Sequence, residues 1–406
     1  MSKKILFVDD QSNLLMGLKR LLRPLRNEWN MEFALGGQEA IKQLQTHDFD
    51  ILVTDMQMPQ VDGAQVLQFA REHSPGTVRI VLSGQASDEK LMKSFACAHQ
   101  YLSKPCEIET LKARLERAYS LEKYLKKENI RKQVAQLVSL ACLPMNYESL
   151  EQELSKTSPS LEALVQIISS DIALSAKILQ AVNSSFFGSG KEVVTVKEAV
   201  LFLGVQTLQA FFHETGIIQP LSNEELLPFF ISIHEHSNKV ALLAATIAQM
   251  EMGDEDERHA VTTAALFHEI GRMILLQLAP ELQKEVLTTV SEGRSNLFEA
   301  EEQVFGATHS EIGAYLLALW GLPQSIVNAV AFYHSPLSGP HRTFSTLTVL
   351  HAANALQSEY ERHFDFDPKP SLNQEYVRAV RDKSAPDRWR EIQASVTTKL
   401  NALSTG

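Results

Sequence analysis

Apolar and polar positions follow two regimes along this chain. Up to residue 122, short apolar runs end abruptly in polar groups. Lys4-Ile5-Leu6-Phe7-Val8 meets Asp9-Asp10, and Ile51-Leu52-Val53-Thr54 meets Asp55. Val78-Arg79-Ile80-Val81-Leu82 meets Ser83, and Gln100-Tyr101-Leu102-Ser103 meets Lys104. Such runs fit strands buried on both faces of a parallel sheet. Between them, Ser12 to Leu25 carries a helical ridge of Leu14, Leu15, Leu18, Leu21, Leu22 and Leu25. The stretches Gln38 to Leu44, Ala64 to Arg71, Asp88 to Ala96 and Ile108 onward supply the other helices. A fivefold βα alternation predicts an α/β, doubly wound, five-stranded parallel sheet.

Beyond it nearly everything reads as helix. No Pro or Gly interrupts Ile108 to Leu140, so the last helix of the first domain is expected to continue as an exposed connector over residues 123–140. Leu111, Ala118 and Leu125 fall at heptad spacing, which is compatible with pairing of two copies into a homodimer, although Lys132 breaks the series and a rigid spacer accounts for the pattern better. Pro144 opens an all-α domain, residues 141–406. A helix is expected to start at Ser158-Pro159, Asp171 to cap Ile172 to Val182, and Thr195 with Glu198 to box the start of a run ended by Gly204. Long helices follow over Leu226 to Met250, His259 to Leu278, and His309 to Leu319, the last with Thr308 and Glu311 as a second capping box.

With 406 residues, 44% of them hydrophobic, the chain has material for two domain cores. Cys97, Cys106 and Cys142 are widely separated and lack metal or disulfide spacing. The N-terminus offers only four apolar residues before Asp9-Asp10, too few for a signal-peptide core, and no run approaches a membrane span, so a cytoplasmic protein without membrane attachment is expected. Net charge is −11, and residues 123–406 carry 23 basic against 33 acidic side chains. Nucleic-acid affinity rests on neutralising phosphates, so direct DNA or RNA binding by that half is disfavoured.

The strand ends carry the first candidate chemistry. In open α/β sheets ligands collect outside the carboxyl ends of the strands, where Asp9, Asp10 and Asp55 would converge. Clustered carboxylates repel and invite a hard cation such as Mg²⁺. Ser83 and Lys104 would supply the hydroxyl and ammonium that a phosphoryl group needs. This set resembles the receiver domain of bacterial two-component response regulators over residues 1–122, a flavodoxin-like fold. The resemblance implies that Asp55 is the phosphoacceptor and that Asp9, Asp10, Asp55 and the Gln57 carbonyl hold Mg²⁺. It further implies that Ser83 and Lys104 contact the phosphoryl group, that Tyr101 is the switch residue, and that a sensor histidine kinase is the donor.

His236 and the pair His268-Glu269 interrupt apolar helices, and His309, His334 and His351 follow. Histidines at His234 and His351 read as packed core residues. The order, with Val182-Asn183-Ser184, Phe267-His268-Glu269-Ile270-Gly271 and Trp320-Gly321-Leu322-Pro323, resembles the HD superfamily of metal-dependent phosphohydrolases, and more closely its HDOD branch. The resemblance places a divalent-metal site at His236, His268, Glu269 and Asn354, with His309 and His334 as second-metal positions. Three departures weaken it: Glu269 replaces the family's aspartate after histidine, Asn354 its final aspartate, and Ser335 stands where a second histidine would follow His334. The Gly-Tyr-Pro that marks cyclic-di-GMP phosphodiesterases is also missing after His334. The expected function is therefore a phosphorylation-controlled regulator whose helical domain acts on an unidentified protein partner without catalysis. The rival is a receiver-gated metal phosphohydrolase acting on a nucleotide or cyclic dinucleotide.

Overall fold

The computed structural model describes residues 3–84, 97–137, 139–184, 192–214, 217–360 and 371–404. Five parallel strands, β1 (Lys3–Asp9), β2 (Trp29–Leu35), β3 (Ile51–Thr54), β4 (Val78–Ser83) and β5 (Gln100–Ser103), lie in the order β2-β1-β3-β4-β5. Ile5 to Val8 and Ile51 to Val53 are almost fully buried, as two-sided burial of central strands requires. Helices Ser12–Leu21, Gly37–Thr46, Gly63–His73 and Ile108–Tyr119 flank the sheet. The first stops short of Leu25 because Pro24 brings no N–H, and Arg23–Leu25 becomes a 3-10 turn. The expected helix over Asp88 to Ala96 lies outside the described residues.

The connector departs from expectation. Helix Ile108–Tyr119 gives way to a 3-10 turn at Ser120–Lys123, and a separate helix, Glu128–Ala135, follows. These breaks let Leu121, Tyr124, Leu125, Val134 and Ala135 all bury themselves, which one straight exposed helix would forbid. Leu111, Ala118 and Leu125 are buried inside this chain, so no heptad seam is left for a second copy and the expected dimer contact is withdrawn.

The second domain is helical apart from a two-residue parallel pairing of Ala141–Cys142 with Gln219–Pro220. Ser160, not Ser158, caps the helix Leu161–Ser169. Val196–Glu214 is two helices meeting at Gly204, whose backbone (φ 73°, ψ 168°) is not helical, so the first run ends there as expected. The expected boundaries at Leu226 and Met250 shift by one residue to Leu227–Glu251. The expected single helix from His259 is two, Glu255–Phe267 and Ile270–Leu278, broken at His268-Glu269. Helices Pro144–Leu154, Ile172–Val182, Pro280–Ser291, Leu297–Val304, His309–Leu319, Gln324–Phe332, Thr346–Tyr360, Gln374–Val380 and Ala385–Ser404 complete its described part.

The two domains share a polar seam along the β5 edge. Gln100 Nε2 donates to the Leu319 carbonyl (3.1 Å), and Gln180 Nε2 to the His99 carbonyl (3.2 Å). Buried Arg79 reaches the Ala135 carbonyl through Nη2 (2.8 Å), and Tyr124 Oη donates to Asn328 Oδ1 (2.8 Å). An edge strand that would otherwise template pairing is thus covered.

Lys177, buried beside this seam, places its ammonium 4.7 Å from the Trp320 ring centroid. Burial pushes its pKa down to about 7. The unfolded chain therefore binds more protons than the folded one above that pH, and stability should rise with pH toward the free lysine value near ~10.4. Lys177→Met should raise the unfolding free energy from urea melts most at pH 7 and below, by a few kcal/mol at most at about 1.4 kcal/mol per pKa unit. The advantage should shrink toward pH 9.5; a pH-independent gap would contradict this reading.

Candidate functional site

The carboxyl edge of the sheet brings the first constellation together. Asp9 ends β1 and Asp55 directly follows β3, and one oxygen from each of Asp9, Asp10 and Asp55 lies within 4.8 Å of the others. Lys104, just beyond β5, bridges two of them: Nζ is 2.6 Å from Asp9 Oδ2 and 3.0 Å from Asp55 Oδ2. The other oxygens are fixed by the backbone, Asp9 Oδ1 accepting from Gln11 N (2.9 Å) and Asp55 Oδ1 from Met56 N (2.7 Å). Among the described residues the buried Asp10 Oδ1 has no hydrogen-bond partner. Burial raises the Asp55 pKa, Lys104 opposes that rise, and Asp9 adds to it.

An orphaned carboxylate oxygen beside two anchored carboxylates fits a hard divalent cation with oxygen ligands. Gln57 is exposed two residues past Asp55. Tyr101 is packed in the interior of β5. Ser83 closes β4, but its side chain lies outside the described residues. Gly63 starts the next helix against the Asp55 carbonyl, where a Cβ would come within 2.0 Å of that oxygen, so only glycine allows the chain to turn so closely under the acidic cluster.

All six expected positions in the helical domain also converge, but around a partner outside the expected set, Arg272. His236 Nε2 pairs with Asn354 Oδ1 (3.2 Å), His268 Nε2 stands 3.7 Å from Glu269 Oε1, and His309 Nε2 lies 4.0 Å from the same oxygen. His309 Nε2 also approaches His334 Nε2 (3.2 Å). Arg272 sits one helical turn after Glu269, with Nε 2.7 Å from Glu269 Oε2, and both side chains are buried. Tyr333 Oη donates to Glu269 Oε1 (3.1 Å), and Glu301 Oε2 accepts from His309 N (2.9 Å) and pairs with its Nδ1 (2.8 Å). His234 and His351 are structural as expected, bonded to the Phe230 and Tyr333 carbonyls (both 2.7 Å).

Burial alone would raise the Glu269 pKa, but the Arg272 guanidinium and the surrounding imidazoles hold it well below the carboxylate range. Burial pushes His236 down to about 3, and His268 and His334 down as well. For His309 burial acts the same way, yet Glu301 outweighs it and the pKa rises.

The donors cluster as a metal site would, with His236, His268 and Glu269 inside 4.8 Å of one another. The charge does not fit. Glu269, shared by both donor triads, is already matched by Arg272, whose guanidinium would repel a divalent ion seated against the same carboxylate. The residues thus fit a metal poorly.

The helices crossing at this cluster touch at Gly271, whose Cβ would fall 1.8 Å from the His309 carbonyl oxygen. Gly271→Ala must separate the helices bearing Arg272 and His309, and is expected to lower stability by about 1–3 kcal/mol. An unchanged thermal midpoint would contradict that crossing.

Comparison with known proteins agrees with both halves. The family model "Response regulator receiver domain" matches residues 5–116, and the model "HDOD domain" matches residues 140–336. The transcriptional regulatory protein ZraR of Escherichia coli O157:H7 is 24% identical over 311 residues, 76% of this chain and 64% of its own length. TrcR of Mycobacterium tuberculosis is 34% identical over 113 residues, 28% of this chain and 43% of its own. The chain spans less than two thirds of either relative. The solved MmoQ response regulator of Methylococcus capsulatus is 20% identical, covers 62% of this chain and 98% of its own, and has a TM-score of 0.45.

The two matched family models place the chain in signal transduction. More particularly, the chain is a response regulator with an N-terminal receiver domain and a C-terminal HDOD domain.

Proposed function

We propose that Asp55 accepts a phosphoryl group from a histidine kinase, and that the HDOD domain delivers the output by binding another protein without catalysis. The observation that carries the first half is the Lys104 bridge between Asp9 and Asp55 beside an unpartnered Asp10 oxygen. On this reading Asp9, Asp10, Asp55 and the Gln57 carbonyl hold Mg²⁺, which neutralises charge on the incoming group. Transfer breaks the donor's P–N bond and forms a P–O bond to the Asp55 carboxylate. The product adds a charge of about −1.5 to −2, met by Lys104 and Ser83.

Strand β5 offers a route outward, since Lys104 follows its carboxyl end while Gln100, at its other end, bonds the HDOD helix His309–Leu319. A shift of Lys104 toward the new phosphoryl oxygens would strain that seam, and buried Tyr101 lies between. The non-catalytic reading is supported by the Arg272–Glu269 pair, by Asn354 and by Ser335. Its rival, a metal phosphohydrolase, draws on the donor clustering and on His268 Nε2, which has no hydrogen-bond partner among the described residues. No single described helix is long and apolar enough to cross a membrane, in keeping with action in the cytoplasm.

Incubation with acetyl phosphate, with and without Mg²⁺, tests the first half, and incubation with Mn²⁺ and cyclic dinucleotides tests the second. Mg²⁺-dependent labelling without turnover is expected. Turnover lost in His268→Ala would establish the rival.

A further inference from the structure

The charge arrangement around Glu269 goes beyond the loss of family ligands. Glu269 faces His268 and His309 from the break between two helices, the place a bridging ligand would occupy. A carboxylate buried there must be compensated. Arg272 is the sole charged residue in the helix Ile270–Leu278, and it turns inward to place Nε 2.7 Å from Glu269 Oε2. The pair is sealed beneath buried Tyr333, whose hydroxyl takes the other carboxylate oxygen. Two further contacts keep the cluster closed: Glu301 holds His309 from behind, and Asn354 holds His236.

We propose that Arg272 is the resident cation of the histidine cluster, its guanidinium balancing Glu269 where a metal enzyme would carry a divalent ion. The pocket is then a structural core of the HDOD domain rather than a vacated active site. This rests on the non-catalytic reading and deepens it.

Metal binding by the full chain tests the assignment, in an Asp10→Asn/Asp55→Ala background that silences the receiver carboxylates. Mn²⁺ titration followed by calorimetry should show no site in that background chain. Arg272→Ala should create one, with affinity raised at least about tenfold by removal of the positive charge, and Glu269→Gln should abolish it again. Without metal, Arg272→Ala should melt lower, and Mn²⁺ should restore part of the loss. Arg272→Lys, which keeps the charge, should fold and remain metal-free, and it carries the test if Arg272→Ala does not fold. Stoichiometric Mn²⁺ binding by the Arg272-containing background chain, lost in Glu269→Gln, would overturn the assignment. If that binding brings no phosphodiester hydrolysis, only the role of Arg272 falls; if it brings hydrolysis, the non-catalytic reading falls with it.

Discussion

Asp55→Ala should abolish covalent phosphoryl incorporation from acetyl phosphate, taking a Mg²⁺-dependent signal to background. The carboxylate lies at the sheet's carboxyl edge, with Oδ1 fixed by Met56 N and Oδ2 facing Lys104 at 3.0 Å, so no neighbouring group occupies the same position. Asp9 is tied to Gln11 N and to Lys104 at 2.6 Å, which leaves it poorly placed to substitute as acceptor. The loss should not come from unfolding. Lys104 keeps Asp9 as its partner, and removing one of three mutually repelling anions should leave the thermal midpoint unchanged or slightly higher. Persistent labelling of a folded Asp55→Ala chain would show that the acceptor lies elsewhere.

Asp171→Ala should be the most destabilising of the substitutions considered, by about 3–5 kcal/mol. The Asp171 carboxylate is fully buried and serves three elements at once. Oδ1 accepts from Leu174 N (3.0 Å), capping the helix Ile172–Val182, which is buried along its whole length. Oδ2 accepts from Leu143 N (2.9 Å) and Asn146 Nδ2 (3.1 Å), and it stands 3.5 Å from His234 Nε2. Each buried donor left without an acceptor costs about 1–3 kcal/mol. Burial opposes ionisation of Asp171, but His234 and the backbone donors outweigh it and lower the pKa. Its contribution should therefore be fully present above the free aspartate value near ~3.9 and be lost as pH falls below it. Urea unfolding at pH 7 should show the full loss in Asp171→Ala, and a change under about 1 kcal/mol would refute this role.

The receiver half was legible because its chemistry stands at the ends of strong apolar runs, so strand ends and charged side chains locate one another. Asp9, Asp10, Asp55 and Lys104 meet as the order of the strands requires. Strand β2 is less plain. Only Trp29 and Ala34 are buried in Trp29 to Leu35, at the sheet's edge, so no continuous apolar run marks it. The connector was misread because local sequence offered no breaker. Its breaks come from the benefit of burying Leu121, Tyr124 and Leu125 between two domains, a tertiary effect that helix propensity does not carry.

In the HDOD half the donors were found but their compensation was not. Glu301 comes from another element and nothing near it in sequence points to His309, and although Tyr333 adjoins the expected His334, nothing in the sequence pairs its hydroxyl with Glu269. Arg272 did leave a signal. A lone charge three residues after Glu269, inside Ile270-Gly271-Arg272-Met273-Ile274-Leu275-Leu276, is spaced for a pair on one helical turn and too apolar in context to face water.

Borohydride reduction tests the central claim most directly, because it converts an aspartyl phosphate to homoserine at the residue that carried it. Treatment of the full chain with acetyl phosphate and Mg²⁺, then borohydride, then peptide mass analysis should place homoserine at position 55 alone, and nowhere when Mg²⁺ is chelated. Homoserine at position 9 or 10, or none despite incorporated phosphate, would contradict the account.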